Sequence, residues 1–144
     1  MMTMKGITLG QLNLGNILGC ALKRNERSQG SKAKDRFFSI IMSESLFLIW
    51  KIRCEWRIQR DSDPTQLHSE TEIHNRWVHI MNYRLKIDCL MTNRKYERKA
   101  LSKTLVIQTW KNTLLDEDSL PREWVSYTGV LVGIKARRPP GRNR

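Results

Sequence analysis

Between residues 34 and 115, apolar positions recur every three or four residues, the signature of helices with one buried side. The pattern is organised around residues 43–60. Phe37, Phe38, Ile41, Leu48, Ile52 and Trp56 fall along one side of a helix there, and Leu46, Ile49 and Trp50 widen the stripe beyond a coiled-coil seam. Lys51, Arg53, Arg57 and Arg60 then load the C-terminal turns with positive charge, where the helix dipole favours it. The spacing predicts a first helix from Lys34 to Arg60. Asp61-Ser-Asp-Pro64 stops it, because proline disfavours the helical conformation at the residue before it and has no amide to continue the ladder.

Ser69-Glu-Thr-Glu72 reads as a capping box opening a second helix, with Glu70 and Glu72 placed favourably for the dipole. Ile73, Trp77, Ile80 and Met81 form its buried stripe, which Leu85, Ile87 and Leu90 continue, and Asn93-Arg94-Lys95 closes it. Ser102 is placed to cap a third helix with apolar positions Leu105, Val106, Thr109, Trp110 and Leu114, ended by Asp116-Glu-Asp118. Leu120-Pro-Arg-Glu-Trp124 reads as a tight turn that folds Trp124 back. Val130-Leu-Val-Gly-Ile134 is β-branched and therefore extended.

The ends are of another kind. Residues 1–22 mix Gly6, Gly10, Gly15 and Gly19 with Leu14, Ile17, Leu18 and Leu22, which predicts a weakly stabilised apolar helix or docking strand. Residues 23–36 are a polar, basic linker, and the last ten residues are a basic, proline-containing tail expected to be disordered. The expected fold is mostly α, about three amphipathic helices in a small open bundle. It has a flexible Gly-rich N-terminus and a short extended C-terminal segment. Three regions follow: 1–33, a Gly-rich apolar segment and basic linker; 34–115, the helical domain; and 116–144, the acidic turn, extended segment and tail.

Composition changes this picture mainly through charge. The 144 residues carry 26 Lys+Arg against 14 Asp+Glu, a net charge of +12 and a pI near 10.1, a balance that attracts polyanions. The densest cluster, Arg94, Lys95, Arg98, Lys99 and Lys103 around Tyr96, and the tail residues Arg137, Arg138 and Arg142 are the candidate nucleic-acid contacts. Among the five tryptophans, Trp50, Trp77 and Trp110 lie on apolar helix sides and read as core. Only Trp56 and Trp124 are candidates to stack on bases.

Catalytic chemistry is not in view. Asp116, Glu117 and Asp118 are adjacent on one loop and point in different directions, unlike the converging carboxylates of a two-metal centre. His68, His74 and His79 lack ligand spacing and read as surface or interface histidines. Cys20, Cys54 and Cys89 form no C-x-x-C pair, and Cys54 and Cys89 sit in apolar patterns as core thiols. No nucleotide-binding or nucleophile motif occurs. No catalytic residue, metal or cofactor is expected. The apolar run from Phe37 to Trp50 is too short and too polar to span a bilayer, so a soluble intracellular protein without a membrane partner is expected.

Several blocks carry a resemblance. Gly15-Asn-Ile-Leu-Gly-Cys-Ala-Leu22 and Ile40-Ile-Met-Ser-Glu-Ser-Leu-Phe-Leu-Ile-Trp-Lys-Ile-Arg-Cys-Glu55 resemble the segment after the ribonuclease H domain in fungal non-LTR retrotransposon reverse transcriptase polyproteins. So do Glu72-Ile-His-Asn-Arg-Trp77, Met91-Thr-Asn-Arg94, Leu114-Leu-Asp-Glu-Asp-Ser-Leu-Pro121 and Gly129-Val-Leu-Val-Gly-Ile134. The resemblance covers about residues 12–135. It implies a helical C-terminal region whose catalytic partners, the polymerase aspartates and the ribonuclease H carboxylates, belong upstream. No such residue maps onto a position here. The Met-Met-Thr-Met start is what an open reading frame opening inside or beside a decayed element would show.

Two readings follow. The first is a non-catalytic remnant of such a polyprotein, without activity of its own, whose apolar faces pack on a ribonuclease H or reverse transcriptase domain absent from this chain. The second is a free-standing basic helical module that binds nucleic acid with low sequence specificity.

Overall fold

A computed structural model describes residues 29–137, and their side chains from residue 32. The expectations for the Gly-rich segment and for Arg138 and Arg142 lie outside those residues. The fold is mostly helical: α1 (Gln29–Gln59), α2 (Glu70–Leu90) and α3 (Lys103–Trp110), with 3-10 turns between them at Pro64–Gln66 and Arg94–Lys99 and after α3 at Glu117–Ser119 and Trp124–Ser126.

α1 begins before the predicted Lys34 and stops by a different device from the predicted proline. Asp61 and Ser62 take left-handed conformations, φ 49° and 60°. They turn the chain so that the Ser62 amide reaches the Trp56 carbonyl at 3.0 Å and the Asp63 amide reaches that of Arg60 at 2.8 Å. Orphan carbonyls at the helix end are thereby satisfied. Pro64 instead opens the next turn, at a position whose amide no helix needs. At the start of α2 only half of the capping box forms. The Ser69 hydroxyl accepts from the Glu72 amide at 3.1 Å, but the Glu72 carboxylate turns to His68 and Arg76.

α1 and α2 form an antiparallel hairpin with polar rungs. Arg36 pairs with Asp88, Glu44 with Arg84, and Glu55 with Arg76, while the Trp77 indole donates to the Ser45 hydroxyl at 3.0 Å. α3 closes against both helices and ends at Trp110, four residues short of the predicted Leu114. Leu114 is drawn off into an antiparallel bridge with Val132, so the extended C-terminal segment is anchored by backbone pairing. The Leu115 amide reaches the Leu131 carbonyl and the Gly133 amide reaches that of Thr113, each at 2.8 Å.

The core gathers Phe37 and Ile40 of α1, Val78, Met81 and Leu85 of α2, Val106 and Trp110 of α3, and Leu114, Trp124, Val125 and Val132 from beyond. The Phe37 and Trp110 rings meet edge to face, centroids 5.7 Å apart. Leu85, predicted to lie on the weaker part of the α2 stripe, is almost fully buried, whereas Ile73 and Leu90 are exposed.

The expected widening of the α1 stripe fails at Ile49 and Trp50, while Leu46 is half-buried. Ile49 and Trp50 face solvent at 62% and 61% exposure, with Phe47 and Ile58 also exposed. Opposite the C-terminal half of α1, α2 presents Arg84, Trp77 and Arg76, which meet Glu44, Ser45 and Glu55, and Leu48 is the buried hydrophobic residue among them.

At Gly133, an added Cβ would lie 3.1 Å from the Leu114 carbonyl oxygen, tighter than ordinary contact. Gly133→Val is therefore expected to destabilise the chain by about 1–3 kcal/mol through overpacking. The Leu115 amide should exchange with deuterium faster than in the parent protein. Unchanged exchange there would show that the bridge does not depend on the glycine.

Candidate nucleic-acid interface

After α2 ends, Asn93 caps the next turn, its side-chain oxygen accepting from the Lys95 amide at 3.0 Å. The Arg94–Lys99 segment is split by Glu97, whose backbone (φ 46°, ψ −119°) interrupts the helix. All six residues are exposed, so Arg94, Lys95, Arg98 and Lys99 fan into solvent around the kink. Lys95 Nζ lies 5.0 Å from the Tyr96 ring centroid, a cation–π contact that leaves the ammonium accessible. Among the described residues, none of the four cations forms an ion pair. Lys103 pairs with Glu123 at 3.3 Å, with both side chains well exposed, a bond worth little in water.

Arg137 belongs elsewhere. Its guanidinium holds Glu70, and its backbone exchanges two hydrogen bonds with the Asn75 side chain, at 2.6 and 2.8 Å. The Lys135 carbonyl likewise meets the His74 ring at 3.0 Å. These residues sit near the start of α2 and Arg94 follows its end, so the length of the helix, about 30 Å, separates them. The structure brings Arg94, Lys95, Arg98, Lys99 and Lys103 together and leaves Arg137 at the far end of α2, bound to a carboxylate that holds its charge.

Arg94 and Lys103 also line one end of a groove of about 950 Å³ between α2 and residues 125–131. On α2 its wall is made by His79, Tyr83, Lys86 and Leu90, spaced to share one helix face, and all four are exposed. Tyr127 stands on the opposite wall. Tyr83, Tyr127 and Lys86 are not among the sequence-based candidates, which place stacking rings at tryptophans and phosphate contacts in the densest basic run. The spacing of His79, Tyr83 and Lys86 on the polar side of α2 was the available signal.

Neither tryptophan expected to stack offers a free ring. Trp124 is buried, and Trp56 is half-buried with its indole donating to the Asp63 carbonyl at 3.0 Å. Trp50, expected in the core, is the exposed one.

The other polar groups have structural partners. Glu117 accepts from the Asn112 amide at 2.8 Å and the Leu114 amide at 3.3 Å, which ties the acidic loop to the end of α3. Burial, with the Asp88 charge adding to it, pushes the Cys89 thiol up to about 11, so it stays protonated near neutrality. Among the described residues, no group of three or more His, Cys, Asp or Glu is arranged to hold a metal ion, and no helix is long and apolar enough to cross a membrane.

His68, Glu55, Glu72, Arg60 and Arg76 form a charged cluster where α1 gives way to α2. The Arg76 hydrogen bond lowers the Glu55 carboxyl, and the His68 hydrogen bond lowers that of Glu72. Depressed folded-state values contribute stability that is present above the unfolded glutamate pKa, about 4.3, and lost as pH falls through the folded values. The contribution of these groups to thermal stability should therefore be fully present above about pH 5 and be lost as pH falls below it. Glu55→Gln should flatten part of that acid limb. An identical limb in the variant would remove Glu55 as its source.

In comparisons with known proteins, the chain matches no family model, no curated protein and no solved structure.

Proposed function

We propose that this chain is a basic helical module that binds nucleic acid through phosphate contacts, with little sequence specificity. The observation that carries the reading is the exposed Arg94–Lys99 turn, whose four cations have no ion-pair partner among the described residues. Like charges held this close repel one another, and a phosphate backbone relieves that repulsion while releasing counterions. Phosphate contacts fix position but carry no base information, hence the low specificity. Anisotropy titrations with labelled oligonucleotides across a salt series test it. Affinity should fall steeply with salt. Replacing Arg94, Lys95, Arg98 and Lys99 with glutamine should reduce the log–log slope by about 3. Absent binding at low salt, or binding indifferent to salt, overturns the proposal.

A second reading is supported by the outer face of α1. Phe47 and Trp50 stack there with centroids 5.9 Å apart, beside exposed Ile49 and Ile58. Such a face suits a non-catalytic C-terminal region of a retrotransposon polyprotein that packs on a ribonuclease H or reverse transcriptase domain outside this sequence. This reading rests on that face and on the sequence blocks given above. Mixing the chain with the ribonuclease H domain of such a polyprotein should produce a complex in sedimentation that Trp50→Ala weakens. No complex at micromolar concentrations counts against it.

A further inference from the structure

We infer that the groove between α2 and residues 125–131 holds single-stranded nucleic acid, with Tyr83 and Tyr127 stacking on bases and Lys86, Arg94 and Lys103 meeting the backbone. The inference rests on the nucleic-acid reading above and gives it a location and a strand preference.

The groove is shaped for such a ligand. Tyr83 and Tyr127 stand on opposite walls, 59% and 60% exposed, so their rings are open to a partner. Leu90 and Leu131, also exposed, extend the apolar part of the lining. No carboxylate lines the groove, while Lys86, Arg94 and Lys103 do. The Lys103–Glu123 pair is solvent-exposed and can exchange Glu123 for phosphate at little loss.

Charge continuity sets the path of the strand. Arg94 is both the end of the groove and the first residue of the cationic turn, so a strand leaving the groove passes directly onto Lys95, Arg98 and Lys99. Aromatic platforms in a cationic track bind strands whose bases are unstacked and available, with little regard to their identity. A duplex keeps its bases stacked on one another and offers these rings no face. Duplex is therefore left to the phosphate contacts of the 94–99 turn alone.

The test uses the full chain and three fluorescein-labelled probes of equal length: oligo(U), oligo(dT) and a mixed-sequence duplex. Both single strands should bind more tightly than duplex. Tyr83→Ala and Tyr127→Ala should each weaken single-strand binding about tenfold, within the range for loss of one stacked base, and leave duplex binding unchanged. Tyr83→Phe and Tyr127→Phe should bind like the parent, because the ring face and not the hydroxyl is used. Both tyrosines are exposed, so the variants should retain the parent's circular dichroism.

If neither single strands nor duplex binds at low salt, the nucleic-acid reading and the groove fall together. If salt-dependent binding is present but the alanine variants match the parent, the phosphate reading stands and the groove is overturned. Equal losses on duplex and single strand would also overturn it, since stacking cannot produce them.

Discussion

Asp88→Ala is expected to lower folding stability by about 3–5 kcal/mol, because it breaks a buried ion pair by removing one partner. Asp88 is 1% exposed on the inner face of α2, and nothing about a lone aspartate in a helix suggests this. Its two oxygens accept from Arg36 Nη1 and Nη2, each at 2.7 Å, the bidentate geometry that makes arginine–carboxylate bonds strong. One of them also accepts from the Trp110 indole at 2.8 Å. A single carboxylate therefore joins α1, α2 and α3. Alanine would leave a mostly buried guanidinium without its counter-charge and a buried indole N–H without an acceptor.

Asp88→Asn should fall between, since an amide oxygen still serves Trp110 but the charge is gone. Urea unfolding with an unchanged m-value is the measurement. A loss under about 1 kcal/mol for Asp88→Ala would mean that the pair does not hold the three helices together. The reverse experiment is informative as well. Replacing Arg36 and Asp88 together with apolar residues of similar volume should lose less than the two single changes summed, because neither charge is then stranded.

Phe37→Ala is expected to be as damaging, again about 3–5 kcal/mol, by a different route. Phe37 is 1% exposed and its ring meets that of Trp110 at 81°, the edge-to-face arrangement aromatic pairs favour. Truncation leaves a cavity in a core that cannot readily collapse, because α1 is held in place by the Arg36–Asp88 pair one residue away. Phe47→Ala, ten residues along the same helix at 55% exposure, should stay within about 0.5 kcal/mol. Parallel urea titrations of the two variants give the comparison. Similar losses at both positions would mean that the outer face of α1 is covered in the folded protein.

The geometry weighs the two functional readings differently from the sequence. The blocks that resemble retrotransposon polyproteins would favour a remnant whose apolar faces need an absent domain. Yet Phe37, Leu85, Val106 and Trp110 close a core within the described residues, and the exposed apolar residues are spread over the Phe47–Ile58 side of α1, Leu67, and the groove, where Leu90 and Leu131 are open. The cationic turn and groove lie on the other end of the hairpin, where α2 finishes. The proposed nucleic-acid binding draws only on the described residues, which is why it is proposed first.

Local pattern was enough to place the three helices, the Ser69 cap, the buried side of α1 through Phe37 and the β-branched extended segment around Val132. Each depends on spacing along the chain or on a side chain reaching a neighbouring amide, and both are local properties. The positive charge of 94–103 was legible for the same reason.

Tertiary structure decided the rest. Which half of the α1 stripe is covered depends on what α2 presents across the hairpin, so Trp50 faces water while Leu85 does not. Asp88 is a core residue only because Arg36, fifty-two residues earlier, arrives opposite it. Arg137 is separated from the basic cluster only because Glu70 and Asn75 hold the end of the described chain against the start of α2. Tyr83 and Tyr127 line one groove because residues 125–131, anchored by the neighbouring Leu114–Val132 bridge, lie beside that helix. Spacing along one helix says which side a residue is on, but it holds no information about what another segment brings to that side.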